Sequence, residues 1–463
     1  MRRAGLFGVA VAALVWGLSQ PAYAGDGDFD QDWGVGGIGA GYTNFRVEAA
    51  TATRTGAAAF LGADLSDVDE ISAIWGEEPG VGAWSSCCGW EFGVPFLERF
   101  ETRAVMVDRE GRALFAGAAG FFPTGAVDRA FVGRSTAAAN GLPFGPFDTS
   151  FSGSGWAFFD DATFCDTESC RFVDIAETDA GSPRYILLLE RTVGGLAADY
   201  YLVGLAANGD LDTSFGASGY RQVAAANLGQ TAVSRAQLEV DAAGRSYVLH
   251  GFFDPDDAGD VDVGLTRFTA GGSLDATWGS AGTFFVDEDE VPAIANVPGA
   301  LALGPAGQIV FGWTRLTPPL EGGVRVFASG ATGAATIGTG FSDSWIRTLL
   351  VDGLGRILAT RDVGADGFRV DRLLTLFPGG IVHDNSFGTV GSRFVDVDHA
   401  GGNGDDTPVA LVVEGGDYYV FVDADGSAAE DEHVVVPVRL LGSLLFADGF
   451  EWGSTHFWSR TSP

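Results

Sequence analysis

The chain has 463 residues, and its 61 acidic residues outnumber its 27 basic residues, which gives a formal net charge of −34. Every basic residue is arginine, because the sequence contains no lysine. The lack of lysine excludes Walker-type phosphate loops, protein kinases and Schiff-base enzymes, all of which need that side chain. The negative charge disfavours binding to nucleic acids, whose phosphates it repels. A hydrophobic content of 46% indicates a folded chain rather than a disordered acidic one.

The N-terminus predicts an export signal. Arg2 and Arg3 precede an apolar stretch at residues 4–18, and a small-residue cleavage site ends at Ala24. Since the stretch is short for a membrane span, we expect cleavage before Gly25 and an exported protein that is periplasmic, on the cell surface or extracellular. No later segment has the apolar length of a membrane span, so the mature chain is predicted to have none.

The four cysteines suggest disulfide bonds, because an even number in an exported chain is typical of them. Cys165 and Cys170 can close a short loop without strain. A bond between the adjacent Cys87 and Cys88 would be strained, since neighbouring Cα atoms are only ~3.8 Å apart. We therefore predict a Cys165–Cys170 disulfide and leave the pairing of Cys87 and Cys88 open. Metal binding by the four cysteines is the alternative, although the usual CxxC spacing is missing.

A turn pattern, D-x-x-[FW]-G-x-x-G, recurs along the chain at intervals of one or two periods of about 60 residues. Its aspartate and aromatic residue are Asp30 and Trp33, Asp148 and Phe151, Asp212 and Phe215, Asp275 and Trp278, and Asp384 and Phe387. Two copies that have lost the aspartate fall near residues 90–93 and 336–338, inside the double intervals. An aromatic cluster at residues 450–453 completes the series, which spans seven periods.

A second pattern, a strand followed by an Asp-x-x-Gly turn and another strand, also recurs. Copies of it begin at Asp108, Asp241, Gly304 and Asp352, and the third has lost the aspartate. Two turn signals in each period leave room for about four short antiparallel strands. Because a four-stranded sheet cannot bury both faces alone, the copies must stack. The sequence therefore predicts an all-β fold, a β-propeller of seven blades with about four strands each.

The residues of the turn pattern have a structural explanation. The aspartate can accept backbone N–H bonds of its own turn, the aromatic side chain can be buried between blades, and glycine permits a positive φ. The best copy, residues 208–216, resembles the delta-60 repeat family, whose consensus joins G-x-LDTSFG-x-x-G to D-x-x-GK-[IV]-x-[VL]-G. The resemblance covers nearly the whole mature chain and implies a β-propeller, but no agreed biochemical activity.

The C-terminus is similar to a FADGFE-type tail found on exported bacterial proteins. With the signal and the repeats, this similarity divides the chain into a signal peptide at 1–24, a propeller at 25–445 and a tail motif at 446–463.

Acidic loops are the candidate ligand sites. Asp26, Asp28, Asp30 and Asp32 alternate near the mature N-terminus and could surround Ca²⁺ with oxygen atoms. A solvated acidic loop is the alternative, because the glutamate that completes an EF-hand is missing. Ca²⁺ is the only cofactor that the sequence suggests.

We expect a binding or surface-interaction module whose partner is an extracellular or cell-envelope ligand. The net charge predicts a ligand that is cationic, or neutral and bridged by Ca²⁺. The alternative is an extracellular hydrolase or lyase that uses carboxylates on one face of the propeller. No catalytic residue can be named from the sequence, and a polar cluster at the mouth of the central channel would favour the enzyme.

Overall fold

The chain is described here by a computed structural model. The described segments are residues 42–43, 45–52, 58–64, 70–75, 85–91, 97–121, 129–137, 144–159, 165, 169–179, 183–193, 196–223, 236–253, 261–286, 296–316, 319–327, 336–363, 367–376, 380–397, 406–414, 416–425 and 433–442, with side chains described within 102–442. All regular elements in these segments are β-strands. No helix in them is long and apolar enough to cross a membrane.

Six sheets are each built from consecutive antiparallel strands. Sheet I contains β2 (Phe45–Ala52), β3 (Ala58–Asp64), β4 (Glu70–Trp75) and β5 (Ser85–Glu91). Sheet II contains β6 (Leu97–Val107), β7 (Ala113–Phe121), β8 (Arg129–Ala137), β9 (Phe144–Phe147) and β10 (Trp156–Phe159). Sheet III contains β11 (Ser169–Glu177), β12 (Tyr185–Val193), β13 (Leu196–Leu205) and β14 (Tyr220–Val223).

The next three sheets repeat this arrangement. Sheet IV contains β15 (Gln237–Val240), β16 (Ser246–Phe253), β17 (Val261–Phe268) and β18 (Thr283–Val286). Sheet V contains β19 (Asn296–Leu303), β20 (Ile309–Arg315), β21 (Glu321–Phe327) and β22 (Thr336–Ser342). Sheet VI contains β23 (Trp345–Val351), β24 (Ile357–Asp362), β25 (Phe368–Leu376), β26 (Gly380–His383) and β27 (Ser392–Val395).

A further sheet, sheet VII, joins the two ends of the described chain. It contains β28 (Asp406–Glu414), β29 (Asp417–Asp425), β30 (His433–Leu440) and the first strand of the chain, β1 (Tyr42–Thr43). β1 pairs antiparallel with β30, with Tyr42 opposite Val435. The last sheet therefore receives its outer strand from the N-terminal part of the chain.

The sheets are arranged in a ring. The first strand of each sheet contacts the first strand of the next, from β2 through β6, β11, β15, β19 and β23 to β28, and β28 contacts β2. These first strands are consequently the innermost, and the fourth strand of each sheet lies at the rim. The fold is an all-β propeller of antiparallel sheets.

The core is divided among the spaces between neighbouring sheets. The apolar cluster around Phe151 and Tyr185 contains residues of sheets II and III, and the cluster around Phe387 and Tyr418 contains residues of sheets VI and VII. Because both faces of a sheet are covered, strands such as β17 (Val261–Phe268) are buried at every position. Each Å² of apolar surface that is buried between neighbouring sheets stabilises their packing by about 25 cal/mol.

The two ends of the ring are built differently. The first and second strands are joined by five residues in sheets I, II, IV, V and VI, and the D-x-x-[FW]-G turns lie at this same end, which we call the motif end. At the opposite end, which we call the variable end, the connection from one sheet to the next ranges from thirteen residues, 224–236, to two, 343–344.

In the two sequence copies without aspartate, the described residues lie in strands rather than turns. Residues 336–338 begin β22, which pairs along its whole length with β21, and Trp90 lies within β5. In sheets III and IV, which carry the full motif, the outer strand is only four residues long and follows the turn. Without the aspartate to hold the turn, these outer strands continue instead.

Candidate functional site

The D-x-x-[FW]-G segment of sheet III forms a compact turn in which the aspartate binds its own backbone. The carboxylate of Asp212 accepts hydrogen bonds from the Ser214 amide at 3.0 Å and the Ser214 hydroxyl at 2.6 Å. The amide of Phe215 donates to the Asp212 carbonyl at 3.0 Å. Gly216 and Gly219 have positive φ angles of 55° and 102°, which glycine adopts without steric cost. The side chain of Phe215 is thereby directed into the protein and fully buried.

The aromatic residue of the turn packs against the neighbouring sheet. A Cβ atom on Gly209, in sheet III, would come within 2.9 Å of the Phe151 ring of sheet II. A Cβ atom on Gly272, in sheet IV, would likewise come within 2.9 Å of the Phe215 ring of sheet III. Glycine at these turns is therefore needed for the close approach of the aromatic ring.

Backbone hydrogen bonds fix the same contact between sheets. The amide of Ser152 donates to the Asn208 carbonyl at 2.7 Å, and the amide of Gly216 donates to the Gly271 carbonyl at 2.8 Å. In each bond the donor is the residue that follows the aromatic residue of the turn, and the acceptor is the residue that precedes the turn glycine of the next sheet. The turn pattern thus forms the junction between sheets II and III and between sheets III and IV.

An arginine on the third strand binds the turn aspartate and stacks on the turn aromatic residue in three sheets. In sheet II, Arg134 binds Asp148 at 2.7 Å, and its guanidinium carbon lies 4.6 Å from the Phe151 ring centre. The equivalent groups are Arg267, Asp275 and Trp278 in sheet IV, and Arg372, Asp384 and Phe387 in sheet VI.

The pKa of each of these aspartates is below its ordinary value. Burial opposes ionisation of Asp148 and Asp384, but hydrogen bonds from the turn and from arginine outweigh it. At Asp275 the hydrogen bond from Thr277 is the largest cause. These carboxylates therefore form ion pairs that stabilise the turns.

The Asp-x-x-Gly-Arg turns form a second junction between sheets. The Asp108 carboxylate accepts hydrogen bonds from the Arg112 guanidinium at 2.7 Å and from the hydroxyl of Tyr185, in the next sheet, at 2.9 Å. Asp352, Arg356 and Tyr418 repeat this arrangement between sheets VI and VII. Burial opposes ionisation of Asp108, but the bonds from Arg112 and Tyr185 hold its pKa below the usual range.

Two carboxylic acids on adjacent innermost strands are not part of these junctions. Asp174, on β11, accepts hydrogen bonds from the Ile175 amide at 2.8 Å and, across to β15, from the Leu238 amide at 2.7 Å. Glu239 is the residue after Leu238. The pairing of β11 with β12 shifts register between Phe172 and Asp174. This irregularity changes the direction of the Asp174 side chain.

These two acids differ in their affinity for protons. Burial raises the pKa of Asp174 to about 6, although the two backbone hydrogen bonds oppose it. Burial and the neighbouring Asp174 charge together raise the pKa of Glu239 to about 8. At neutral pH Glu239 is therefore mostly protonated and Asp174 mostly ionised.

His250 is buried on the second strand of sheet IV. Its Nε2 lies 2.9 Å from the Thr266 hydroxyl, and its Nδ1 lies 3.1 Å from the Gly251 carbonyl. Burial lowers its pKa to about 4, so the ring is neutral at pH 7. A hydroxyl chain from Thr266 to Thr283 continues this buried network.

The predicted disulfide is confirmed. Cys165 and Cys170 are bonded, with their Cα atoms 5.4 Å apart. The bridge ties Cys165, in the connection from sheet II to sheet III at the variable end, to Cys170 at the start of β11, and both side chains join the apolar cluster between those sheets. Cys87 and Cys88 lie on β5, and their side chains are outside the described residues.

The other predicted residues are distributed around the ring. Asp148, Phe151, Asp212, Phe215, Asp275, Trp278, Asp384 and Phe387 lie in the turns at the motif end, and all four aromatic rings are fully buried. Asp26, Asp28, Asp30, Asp32 and Trp33 lie outside the described residues. Within the described segments, no three histidine, cysteine or acidic side chains are grouped as a metal would require.

The sequence patterns did not indicate the arginines or the acid pair. Arg134, Arg267 and Arg372 precede their aspartates by different numbers of residues, so no fixed spacing marks them. Glu239 is recognisable only as a charged residue in a short apolar strand immediately before an Asp-x-x-Gly turn.

No family model matches the chain, and no curated protein matches it. Several solved structures have a similar fold. A protein of unknown function from Dyadobacter fermentans is 11% identical over 90% of this chain and 98% of that one, with a TM-score of 0.42. An α-L-arabinanase from Penicillium chrysogenum, complexed with arabinobiose, is 12% identical over 90% and 96%, with a TM-score of 0.43.

The NanB sialidase of Streptococcus pneumoniae, in a mutant form, is 10% identical over 86% of this chain and 68% of that one, with a TM-score of 0.39. At these identities and TM-scores, none of the similarities assigns an activity or a ligand to this chain.

Proposed function

We propose that this protein is an exported seven-bladed β-propeller that binds an extracellular or cell-envelope ligand through its variable end. The observation that carries the proposal is the difference between the two ends of the ring. At the motif end, the turn between the first and second strands has five residues in five of the seven sheets, whereas the sheet-to-sheet connections at the variable end have two to thirteen residues. In repeat proteins, insertions of differing length collect on one face, and that face is often the binding face.

The ring supplies a rigid support for such a face. Seven sheets surround the axis, and pairing between β1 and β30 joins the N-terminal part of the chain to the last sheet. Ion pairs between Arg134 and Asp148 and between Arg372 and Asp384 lie at the motif end, away from the variable connections. Sequence changes in the exposed connections of the variable end therefore leave these ion pairs intact.

The ligand that we propose is cationic, or neutral and bridged by Ca²⁺. The formal charge of −34 repels anionic partners such as nucleic acids. Two connections at the variable end, 254–260 and 396–405, contain or border acidic residues. We include Ca²⁺ binding by Asp26, Asp28, Asp30 and Asp32 in the proposal, because alternating carboxylates offer the oxygen ligands that this ion prefers.

A binding screen against glycans and cell-envelope fractions tests the proposal, with the secreted protein sequenced at its N-terminus to check cleavage before Gly25. Asp256→Asn with Asp257→Asn, at the variable end, should weaken any interaction found. Asp210→Asn, at an exposed position of the motif end, is the matched control and should leave the interaction unchanged. Equal losses in both variants would contradict a binding role for the variable end.

A second candidate function is supported by the acid pair on the innermost strands. A protonated Glu239 beside an ionised Asp174 could act as acid and base in the hydrolysis or elimination of a glycosidic bond. If the purified protein turns over a polysaccharide, Glu239→Gln should lower kcat by about 100-fold or more, as loss of a general acid does. Turnover that is unchanged in this variant would reject the second candidate.

A further inference from the structure

Two arginines lie side by side on the face of sheet VI that is directed at sheet V. Arg361 of β24 is opposite Arg369 of β25 in the strand register, so both side chains are on one face, with Cβ atoms roughly 5 Å apart. The guanidinium carbon of Arg361 lies 4.8 Å from the ring centre of Phe341, on the outer strand of sheet V. This contact shows which neighbouring sheet the two arginines face.

A carboxylate neutralises only one of these arginines. The Nε atom of Arg361 donates a hydrogen bond to the Asp371 carboxylate at 2.5 Å. Arg369 donates instead to the Ser392 hydroxyl at 3.3 Å, and among the described residues it has no acidic partner. His383 also contacts Asp371, at 3.3 Å, and adds no negative charge in either protonation state. The group therefore contains two guanidiniums and one carboxylate.

This arrangement leaves Arg369 in need of an anion. Like charges at opposite positions of a sheet repel and destabilise it. The fully buried carboxylate of Asp371 offsets the repulsion at Arg361, to which it is bound. Within the described segments no carboxylate does the same at Arg369, although the chain has 61 acidic residues. An anionic group bound to Arg369 would supply the missing partner.

The guanidinium of Arg369 is held in place by an aromatic ring. Phe394 of β27 is opposite Arg369 in the register, and the guanidinium carbon lies 5.7 Å from the ring centre. The ring is itself packed on the backbone, because a Cβ atom on Gly367 would come within 2.9 Å of it. Stacking of this kind is a cation–π interaction. A side chain that is already positioned loses less conformational freedom when a ligand binds.

The site opens towards the variable end. Arg361 is the next-to-last residue of β24 and Arg369 is the second residue of β25, so both lie at this end. Sheets V and VI are joined there by residues 343–344 alone, a connection too short to cover the face. Ser344 of this connection accepts a hydrogen bond from Arg361 at 2.6 Å. Phe394 is 43% exposed, which places the ring at the solvent side of the site.

A carboxylate is the anion that suits this site best. The planar guanidinium fork matches a carboxylate with two parallel hydrogen bonds. One carboxylate also balances the single excess positive charge, whereas a polyanion would expose further charges to a chain with a formal charge of −34. Charges more than about 8 Å away are largely screened at physiological ionic strength. The local pair therefore decides whether a single carboxylate binds.

We propose that Arg369 and Phe394 bind a uronic acid residue of a saccharide, in the cleft between sheets V and VI. The carboxylate of the uronic acid pairs with Arg369, and the exposed ring of Phe394 offers an apolar surface to the body of the sugar. The choice of a saccharide rests on the proposed function, an extracellular or cell-envelope ligand at the variable end. The choice of a carboxylate rests on Arg369 alone, and it adds an anion site to a face whose acidic connections take cations.

Calorimetry on the mature protein tests the proposal, with oligosaccharides that each carry one glucuronate or galacturonate residue. The carboxyl-reduced form of each oligosaccharide is the matched neutral ligand and should bind about tenfold more weakly or worse. Arg369→Gln should weaken binding of the acidic form by a similar factor, and Arg369→Lys, which keeps the charge but not the fork, by less. Arg221→Gln, at an exposed arginine of sheet III, is the matched control and should change nothing.

EDTA is present in every titration, so the result does not depend on calcium binding. An unchanged Tm verifies that the Arg369 variants fold, which is expected because the pair of Arg361 and Asp371 stays intact. Absence of binding by every acidic oligosaccharide, equal binding of the reduced forms, or unchanged binding in Arg369→Gln would overturn the proposal. Tighter binding of inorganic phosphate or of a glutamate-containing peptide would overturn it too. A ligand whose binding needs Asp256 and Asp257 but not Arg369 would support the proposed function while rejecting this site.

Discussion

Gly204 lies so close to the ring of Phe215 that a Cβ atom at position 204 would come within 2.7 Å of the ring carbon Cγ. In sheet III, Gly204 occupies the third-strand position at which sheets II, IV and VI have Arg134, Arg267 and Arg372. Backbone hydrogen bonds show this equivalence, because the amide of each of the four residues donates to the carbonyl of the last glycine of its own motif. In sheet III, therefore, the phenylalanine packs directly on the backbone instead of under a guanidinium.

This contact predicts a specific pattern of stability changes. Phe215→Ala should lower the free energy of unfolding by ~3–5 kcal/mol, because it leaves a cavity between sheets III and IV. Gly204→Ala should cost about 1–3 kcal/mol through overpacking against the ring. In the double variant the clash disappears with the ring, so the combined cost should be less than the sum. Denaturant unfolding measures all three, and strictly additive costs would contradict the contact.

Removal of one partner of the ion pair between Arg372 and Asp384 should be strongly destabilising because the arginine is fully buried. Arg372→Met leaves the Asp384 carboxylate without its cation and should cost about 3–5 kcal/mol. Adding Asp384→Asn removes the uncompensated charge and should recover part of this loss. Thermal unfolding of the two variants tests the prediction, and a single variant as stable as the parent would show that the pair is dispensable.

The pKa of Glu239 predicts the pH dependence of stability. The folded-state pKa, about 8, is above the ordinary value of 4.5, so the folded protein binds the proton more tightly than the unfolded chain. Glu239 therefore favours folding at low pH, and this contribution is lost as the pH rises from about 4.5 to about 8. We expect Glu239→Gln to gain Tm relative to the parent over this range. A difference in Tm between the Glu239→Gln variant and the parent that stays constant from pH 5 to 9 would contradict the raised pKa of Glu239.

The disulfide between Cys165 and Cys170 closes a short loop, with a sequence separation of 5. Loop-closure entropy for so few residues stabilises the folded state by only about 2 kcal/mol. Replacing both cysteines by serine should lower the free energy of unfolding by that amount or somewhat more, because the two side chains also join the apolar cluster between sheets II and III. Unfolding with and without reductant separates the two contributions when both proteins also carry Cys87→Ser and Cys88→Ser, since reduction should then have no effect on the variant without Cys165 and Cys170.

We expect Ca²⁺ to bind the acidic N-terminal segment that contains Asp26, Asp28, Asp30 and Asp32. Titration with CaCl₂ should then raise the Tm, by the equivalent of about 2.7 kcal/mol at 100 times Kd. Asp28→Asn with Asp30→Asn should abolish the increase, whereas Asp210→Asn should not. Calorimetry that detects no heat of binding at millimolar Ca²⁺ would reject this site.

The sequence by itself determined the all-β class, the period of the repeats and the Cys165–Cys170 disulfide. These features are local: a turn such as residues 212–219 is specified by an aspartate that binds its own backbone and by glycines at positive φ. The sequence also shows where a turn is lost, although it does not show that residues 336–338 then become part of a continuous outer strand.

Only the tertiary structure decided which residues meet across strands and across sheets. Arg134, Arg267 and Arg372 reach their aspartates from a neighbouring strand, at spacings that differ from sheet to sheet, so no motif records them. Asp174 and Glu239 are far apart in sequence and become coupled because β11 and β15 are adjacent around the axis. Their pKa values follow from burial, and burial is a property of the closed ring rather than of any segment.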